Sequence, residues 1–370
     1  MTAPQANDGV GRPSERGMAL LMTLTVIVLL MTAGLHINRQ VRKALETAAT
    51  QRDQLIMNEM ALSGVHAAMA VLVKDRQDSE ADSLLEDWAS EEAMETVIGD
   101  LPFEKGSLKV AISDERAKIQ VNALVDFPEG RQFNADQHTL WERFAKRLLD
   151  LYTTAEEVEM DETNTATIIN SMKDWLDSGD DDAITGLSGA ESSYYEDLDP
   201  PYACKNGPFT DLDEVSLVKG VTPEIFFGFG ELMGLYNYLT VYGATETQDK
   251  RFTFDGKINI NTAELPVIAA LLEDDVADWA QTLVDYRVEE SDGVYKHTDE
   301  LANKDWYKNV PGFSGITIPE NLITVQSDFF RITATAGIGD VKMTRTAVVH
   351  RLKNAKTGRW YCKILQWQAD

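Results

Sequence analysis

Nine carboxylates crowd the segment KDWLDSGDDDAITGLSGAESSYYEDLDPPY, residues 173–202: Asp174, Asp177, Asp180, Asp181, Asp182, Glu191, Glu196, Asp197 and Asp199. Left unpaired, so many like charges repel one another and keep a loop open. A hard cation with six to eight oxygen ligands turns that repulsion into folding energy, which makes this a candidate calcium loop. Histidine is absent from the segment and the nearest cysteine is Cys204, so a zinc centre is disfavoured. The EF-hand pattern fails here. Asp180, Asp182 and Glu191 fall on loop positions one, three and twelve, but Ile184 and Thr185 stand where a ligand and the turn glycine belong. A solvated acidic turn is the alternative reading.

Other chemistry is thinner. GLSGA (Gly186–Ala190) is one residue short of a nucleophile elbow, because Ala190 replaces the second glycine. His36, His66, His138, His297 and His350 are scattered, with no carboxylate or thiol partner at a motif spacing, and no phosphate-cradling loop is present. No catalytic residue is therefore assigned, and the chain reads as a non-enzyme. INTAELPVIAALLEDDVADWAQTLVDYR has the outline of a helix-hairpin-helix, with Asn261 as N-cap, Glu264 three residues on, and Leu265, Ile268 and Leu272 along one face. Glu273, Asp274 and Asp275 occupy the hairpin, where a nucleic-acid binder presents bare backbone to phosphate, so a packing helix pair is expected and no nucleic-acid partner.

The formal charge of −27 is unevenly distributed: +3 through Lys43 and −30 beyond it. Such a body repels phosphate backbones and suits cation binding, or is simply kept soluble by its charge. Cys204 and Cys362 permit one intramolecular bridge without requiring it, and two free thiols fit equally well.

Among the elements that must hold these groups, Met18–Ile37 is an apolar run without a carboxylate, long enough to cross ~30 Å of hydrocarbon as a helix. It is too long for a signal-peptide core, and Ala33 and Gly34 lack the small-x-small spacing of a cleavage site, so a retained anchor is expected. Arg12 and Arg16 precede the span while Arg39, Arg42 and Lys43 follow it, which leaves orientation ambiguous by charge. Val41, Ala48, Leu55, Leu62 and Met69 recur every seven residues, Leu45 and Val73 lie on the adjoining seam, and no proline interrupts Met18–Lys74. One helix of ~55 residues, about 80 Å long, is expected. Arg52, Glu59 and His66 on the second seam argue against a regular coiled coil.

Further on, SLKVAISDERAKIQVNAL (Ser107–Leu124) reads as two short strands about an Asp114–Glu115 turn. Two helical segments follow, with Leu140, Phe144, Leu148 and Leu149 on one face and Ile168, Ile169, Met172 and Trp175 on the other. The C-terminal segments DFFRITATAGIGDVKMTRTAVVHRL and RWYCKILQWQ alternate like antiparallel strands, with GIGD as the turn. The fold class expected is α+β: a long N-terminal helix and a small antiparallel sheet interrupted by a large helical insertion.

A short basic leader ending in Gly17, an apolar span from Met18 and a long continuous helix resemble the type IV pilin and pseudopilin pattern. The resemblance implies a cut between Gly17 and Met18 by a prepilin peptidase, with methylation of the new amino terminus. Most members carry Glu at the fifth mature position, where this chain has Met22. Its absence resembles the minor pseudopilin K family of type II secretion, as do the ordered phrases DERAKIQVNAL, DWLDSGDDD, GAESSYYEDLDPPY, NGPFTDLDEVSLVKG and GKININTAELPVIAAL. In that family the resemblance implies a pseudopilin sheet with sterile-alpha-motif-like helical insertions, and a calcium loop around Trp175–Asp177 and Gly189–Glu191. It also implies partners: minor pseudopilins I and J in a tip trimer, then pseudopilin H and the major pseudopilin G. The body would lie in the periplasm on an inner-membrane anchor. Candidate ligands are Asp174, Asp177, Asp180, Asp181, Asp182, Glu191 and Asp199. The domains expected are a leader (1–17), the long helix (18–75), the first part of the sheet (76–125), a helical insertion with the acidic loop (126–255), a second helical unit (256–320) and the closing strands (321–370). A membrane-stalked, calcium-dependent module that recognises secreted cargo is the competing function.

Overall fold

The computed structural model describes residues 15–154, 162–178 and 184–369. The chain divides into two units, Met1–Glu59 and Met60–Asp370, and helix α1 (Glu15–Asp78) runs through the boundary as 64 continuous helical residues. In the first unit, Leu20, Leu21, Leu29 and Leu30 all stand exposed, as a lipid-facing helix requires, and this is one helix long and apolar enough to cross a membrane. Thr23, Thr25 and Thr32 donate their hydroxyls to carbonyls three or four residues back, so their polar groups are satisfied within the helix.

In the second unit α1 lies on a four-stranded antiparallel sheet. β1 (Ser107–Asp114) pairs with β2 (Phe329–Ile338), which pairs with β3 (Val341–Lys353), which pairs with β4 (Trp360–Ala369). The β2–β3 turn is Gly339–Asp340, with Gly339 at φ +60°. That positive φ is the reason GIGD makes the tight hairpin. The seven-residue seam is not what packs. Val41 and Leu55 are exposed and Leu62 and Met69 half-buried, whereas Met60, Ala61, Gly64, Val65, Ala68 and Leu72 are buried. These follow the 3.6-residue period of one helix on a flat face, not the 3.5-residue period of a coiled coil. Small residues bring the backbones close: a Cβ on Gly64 would sit 2.8 Å from Val110 Cγ2 and 3.0 Å from Leu108 Cδ2.

The stretch 107–124 corrects the sequence reading. Only β1 joins the sheet. Glu115–Ala117 forms a 3₁₀ turn, and Ile119–Gln120 pairs in parallel with Leu239–Thr240 inside the insertion. The diversion has a polar cause. Buried Asp114 accepts from Arg116 N (2.7 Å), Asn259 Nδ2 (2.8 Å) and Thr262 Oγ1 (2.6 Å), while Glu115 pairs with Arg331 Nε at 2.6 Å. The alternation at Ile119 and Val121 therefore marks burial in the insertion core, not a hairpin partner.

Between β1 and β2 the chain builds that insertion. α2 (Glu91–Gly99) precedes β1 and packs against it. α3 (Ala135–Thr154) and α4 (Glu162–Leu176) bury the two faces read from the periodicity. α5 (Leu265–Leu271) packs on α3 and on α6 (Ala280–Tyr286). Asn261 is not the N-cap of α5; Glu264 is, without a capping hydrogen bond. Asn261 is buried and instead donates to Asp82 O and Leu301 O while accepting from Trp306 Nε1. One core cluster runs from Ile119 through Leu272 to Val325, so it is continuous across position 255. The acidic hairpin between α5 and α6 is tied down by Arg147 of α3, which reaches Asp274 at 3.1 Å and Asp278 at 3.9 Å.

Candidate metal centre

Asp174 lies in the last turn of α4 because Ile168, Ile169, Met172 and Trp175 take its apolar face inward. Trp175 stacks on Phe209 and meets Tyr195 edge-on, which locks the end of the helix. The chain then returns so that Gly189–Glu191 passes beside that end. Asp174 Oδ2 accepts from Ala190 N at 2.8 Å and both its oxygens accept from Thr185 N at 3.1 Å. Gly189 is obligatory at this crossing. A Cβ there would lie 2.0 Å from Asp174 Oδ2 and 2.9 Å from the backbone N and O of Thr185. The second glycine of the near-elbow GLSGA thus serves close approach to a carboxylate. Lys219 Nζ fastens the same turn by donating to Ser188 O and Gly189 O.

This crossing gathers Asp174, Asp177 and Glu191, all buried, with one carboxylate oxygen of each within 4.8 Å of the others. Calcium–oxygen bonds of about 2.3–2.6 Å put ligands on opposite sides of one ion about 5 Å apart, so the spread fits a single cation. Lys173 Nζ stands 2.7 Å from Asp177 Oδ2. Three carboxylates against one ammonium leave two negative charges, the complement of a divalent ion. All the donors are hard oxygens. The set suits calcium rather than a thiophilic metal.

Of the other predicted ligands, Asp199 is exposed and outside this group. Asp180, Asp181 and Asp182 lie outside the described residues. Cys204 is a free buried thiol whose Sγ faces Asp174 O, and Cys362 is a free thiol on β4 facing Met69 O. Burial raises both thiols to about 11. Gly17, Met18 and Met22 lie on α1, and Met18 and Met22 are exposed.

Sequence reasoning missed three things. Lys173 had no motif around it. His297 meets Glu289 at 3.0 Å and Glu300 at 3.2 Å while stacking on Tyr286, a pairing that the scattered histidines did not suggest. The third is a buried network centred on Arg351 of β3, which donates to Leu72 O and Asp75 Oδ2 at 3.0 Å, to Ser327 O at 2.7 Å, and to Asp82 Oδ1. One guanidinium serves two carboxylates here. Burial leaves a surplus negative charge and pushes Asp75 and Asp82 up to about 7. This network rivets the end of α1 to the sheet.

The fold and site together define an α+β protein: a membrane-length helix laid on a four-stranded sheet, with a helical insertion that carries a buried acidic centre. Residues 117–228 and 258–326 match two family models described as type II secretion system (T2SS), protein K. The chain is 27% identical over 360 residues to the type II secretion system protein K of Pseudomonas aeruginosa, covering 93% of this chain and 91% of that one. It is 25% identical over 354 residues to the protein K of Aeromonas hydrophila, covering 92% and 95%. Among solved structures, a chain of the GspK-GspI-GspJ complex from the enterotoxigenic Escherichia coli type 2 secretion system superposes with a TM-score of 0.60 at 17% identity, over 88% of this chain and 99% of that one. Over more than nine-tenths of its length the chain is similar to the protein K of the type II secretion system.

Proposed function

We propose that this chain is the minor pseudopilin at the tip of the periplasmic pseudopilus, where it starts or caps the filament that serves export of folded proteins across the outer membrane. Met22 carries the reading. A carboxylate in hydrocarbon is costly unless paired, and inside a filament its partner is the terminal amine of a neighbouring pseudopilin. A pseudopilin with nothing ahead of it has no such partner, and an apolar residue at this position avoids an unpaired buried charge. The bulk of the insertion supports the same placement, since it would obstruct a further copy stacked above.

On this reading α1 anchors the protein in the inner membrane with the body in the periplasm, and a prepilin peptidase cuts after Gly17 and methylates Met18. The neighbour's complex supports minor pseudopilins I and J as direct partners, with pseudopilin H and the major pseudopilin G below them. The role is structural, not catalytic. Asp174, Asp177 and Glu191 hold a calcium ion, whose contribution is to neutralise the crossing between α4 and Gly189–Glu191. Mass spectrometry of the mature amino terminus tests the processing, and co-purification of the full chain with I and J tests the placement. Methylated Met18 and a stable three-way complex are expected. An intact leader and no complex would overturn the reading in favour of a stalked cargo-binding module.

A further inference from the structure

A cavity of about 260 Å³ opens where the end of β1 meets α5 and the segment after α6. It carries two cations, Lys118 and Arg287, that have no carboxylate at ion-pair distance among the described residues. The Lys118 ammonium makes no hydrogen bond or contact ion pair among the described residues, although the residue is half-buried and desolvation depresses the ammonium. Arg287 is only 5% exposed; Nη1 donates to Ile260 O at 3.0 Å and Nε has no partner. Burial lowers this guanidinium to about 10.

Glu115, Glu264 and Asp114 attract Lys118, and Glu264 attracts Arg287, but none of them closes to a contact pair. Asp114 is consumed by Arg116 N, Asn259 and Thr262, and burial raises it toward its neutral form. Glu115 is in contact with Arg331 and Thr240, and Lys118 attracts it from beyond ion-pair distance. Glu264 stands exposed at the rim and forms no ion pair with either cation among the described residues. Lys118, Arg287 and Arg331 against Glu115 and Glu264 leave one surplus positive charge, in a chain whose net charge is −27. A buried cation without a partner is costly, so a pocket built around two of them is built for an anion.

We propose that this cavity binds a single carboxylate bearing a small apolar group. Trp88, Ile112, Tyr238 and Val267 are among the other walls, with polar Ser113 and Asn237 between them, and the apolar members suit a compact hydrocarbon substituent. The volume falls just below the usual range for small-ligand pockets, which begins at about 300 Å³. A doubly charged phosphate is disfavoured, because the site has one charge to offer and Glu264 beside it. The bidentate fork of an arginine with a lysine point charge is the usual pairing for a carboxylate. Two sources share this chemistry: a free small acid and the terminal carboxylate of a polypeptide. The proposal is independent of the placement at the filament tip.

The test uses the full chain in detergent micelles, with calorimetric titration of N-acetyl-L-leucine, 4-methylpentanoate and inorganic phosphate, and of N-acetyl-L-leucinamide as the uncharged control. Both acids should bind saturably and at least tenfold more tightly than the amide. Tighter binding of N-acetyl-L-leucine assigns a chain terminus, and tighter binding of 4-methylpentanoate a free acid. Lys118→Met in the same micelles should weaken the acids at least tenfold at a melting temperature no lower than that of the unaltered protein, and the comparison also cancels partition into detergent. The comparison of acid with amide on the unaltered protein needs no variant to fold. Acids that bind no better than the amide, phosphate that binds more tightly than both, or a folded Lys118→Met variant with undiminished affinity would each overturn the proposal.

Discussion

Replacing Arg351 by methionine should loosen the end of α1 from the sheet, and the cost should depend on pH in a definite sense. The guanidinium supplies four hydrogen bonds, two to carbonyls of Leu72 and Ser327 and two to the carboxylates of Asp75 and Asp82. It also stacks 4.8 Å from the centre of the Phe330 ring, a contact that methionine largely keeps. Removing one side of a buried ion pair costs about 3–5 kcal/mol, mostly because the remaining charge is stranded. At pH 7 the variant should lose that much. Arg351 lowers both aspartates by attraction and hydrogen bonding, so without it they rise further above the 7 reached in the intact network. A folded-state carboxyl raised above its unfolded value near 3.8 contributes stability that is full below about pH 4 and lost as pH climbs through the folded pKa. At pH 5 both groups are neutral with or without Arg351, so the cost should be smaller than at pH 7, by up to about 1 kcal/mol, because only the part-ionised aspartates of the intact network at pH 7 are affected. Denaturant unfolding of the full chain in detergent at both pH values measures this. Adding Asp82→Asn to the variant should recover part of the loss at pH 7. A cost below about 1 kcal/mol at pH 7, or a larger cost at pH 5 than at pH 7, refutes the account.

Calcium should raise the melting temperature of the full chain relative to chelator, by about 2.7 kcal/mol of stability at a hundredfold excess over Kd, and superimposable melting curves would dismiss the metal. Gly189→Ala should abolish that response and cost about 1–3 kcal/mol on its own, since the added Cβ meets both Asp174 and the Thr185 backbone; retained calcium stabilisation would contradict the crossing described. Gly64→Leu should destabilise by about 1–3 kcal/mol despite a helix-propensity gain near 1 kcal/mol, because Val110 and Leu108 already fill the space; a neutral effect in denaturant unfolding would show that α1 does not need the close approach. Met22→Glu should reduce secretion and recovery of the protein with I and J, and undiminished secretion would remove the argument from an unpaired carboxylate at the tip.

The sequence alone determined the parts whose signals are local. A proline-free stretch that opens on a carboxylate-free apolar run makes α1, and the faces of α3 and α4 were readable at Leu140, Phe144, Ile168 and Met172 from periodicity alone. Gly339 in its tight turn likewise announced β2 and β3. The acidic loop was legible as composition, while only the family resemblance, not the spacing, pointed to Trp175–Asp177 and Gly189–Glu191 as the parts that converge. Asp174, Asp177 and Glu191 meet because Gly189 lets one backbone cross another, a steric fact with no signature in spacing. Likewise the seven-residue seam misled because what faces α1 is a sheet, and only the folded chain reveals the partner. Arg351 with Asp75 and Asp82, and Lys118 with Arg287, are joined by packing between segments far apart in the chain. Periodicity and turn chemistry act between neighbours in sequence; burial, and with it the worth of every charge in this protein, is set by what the tertiary fold brings from elsewhere.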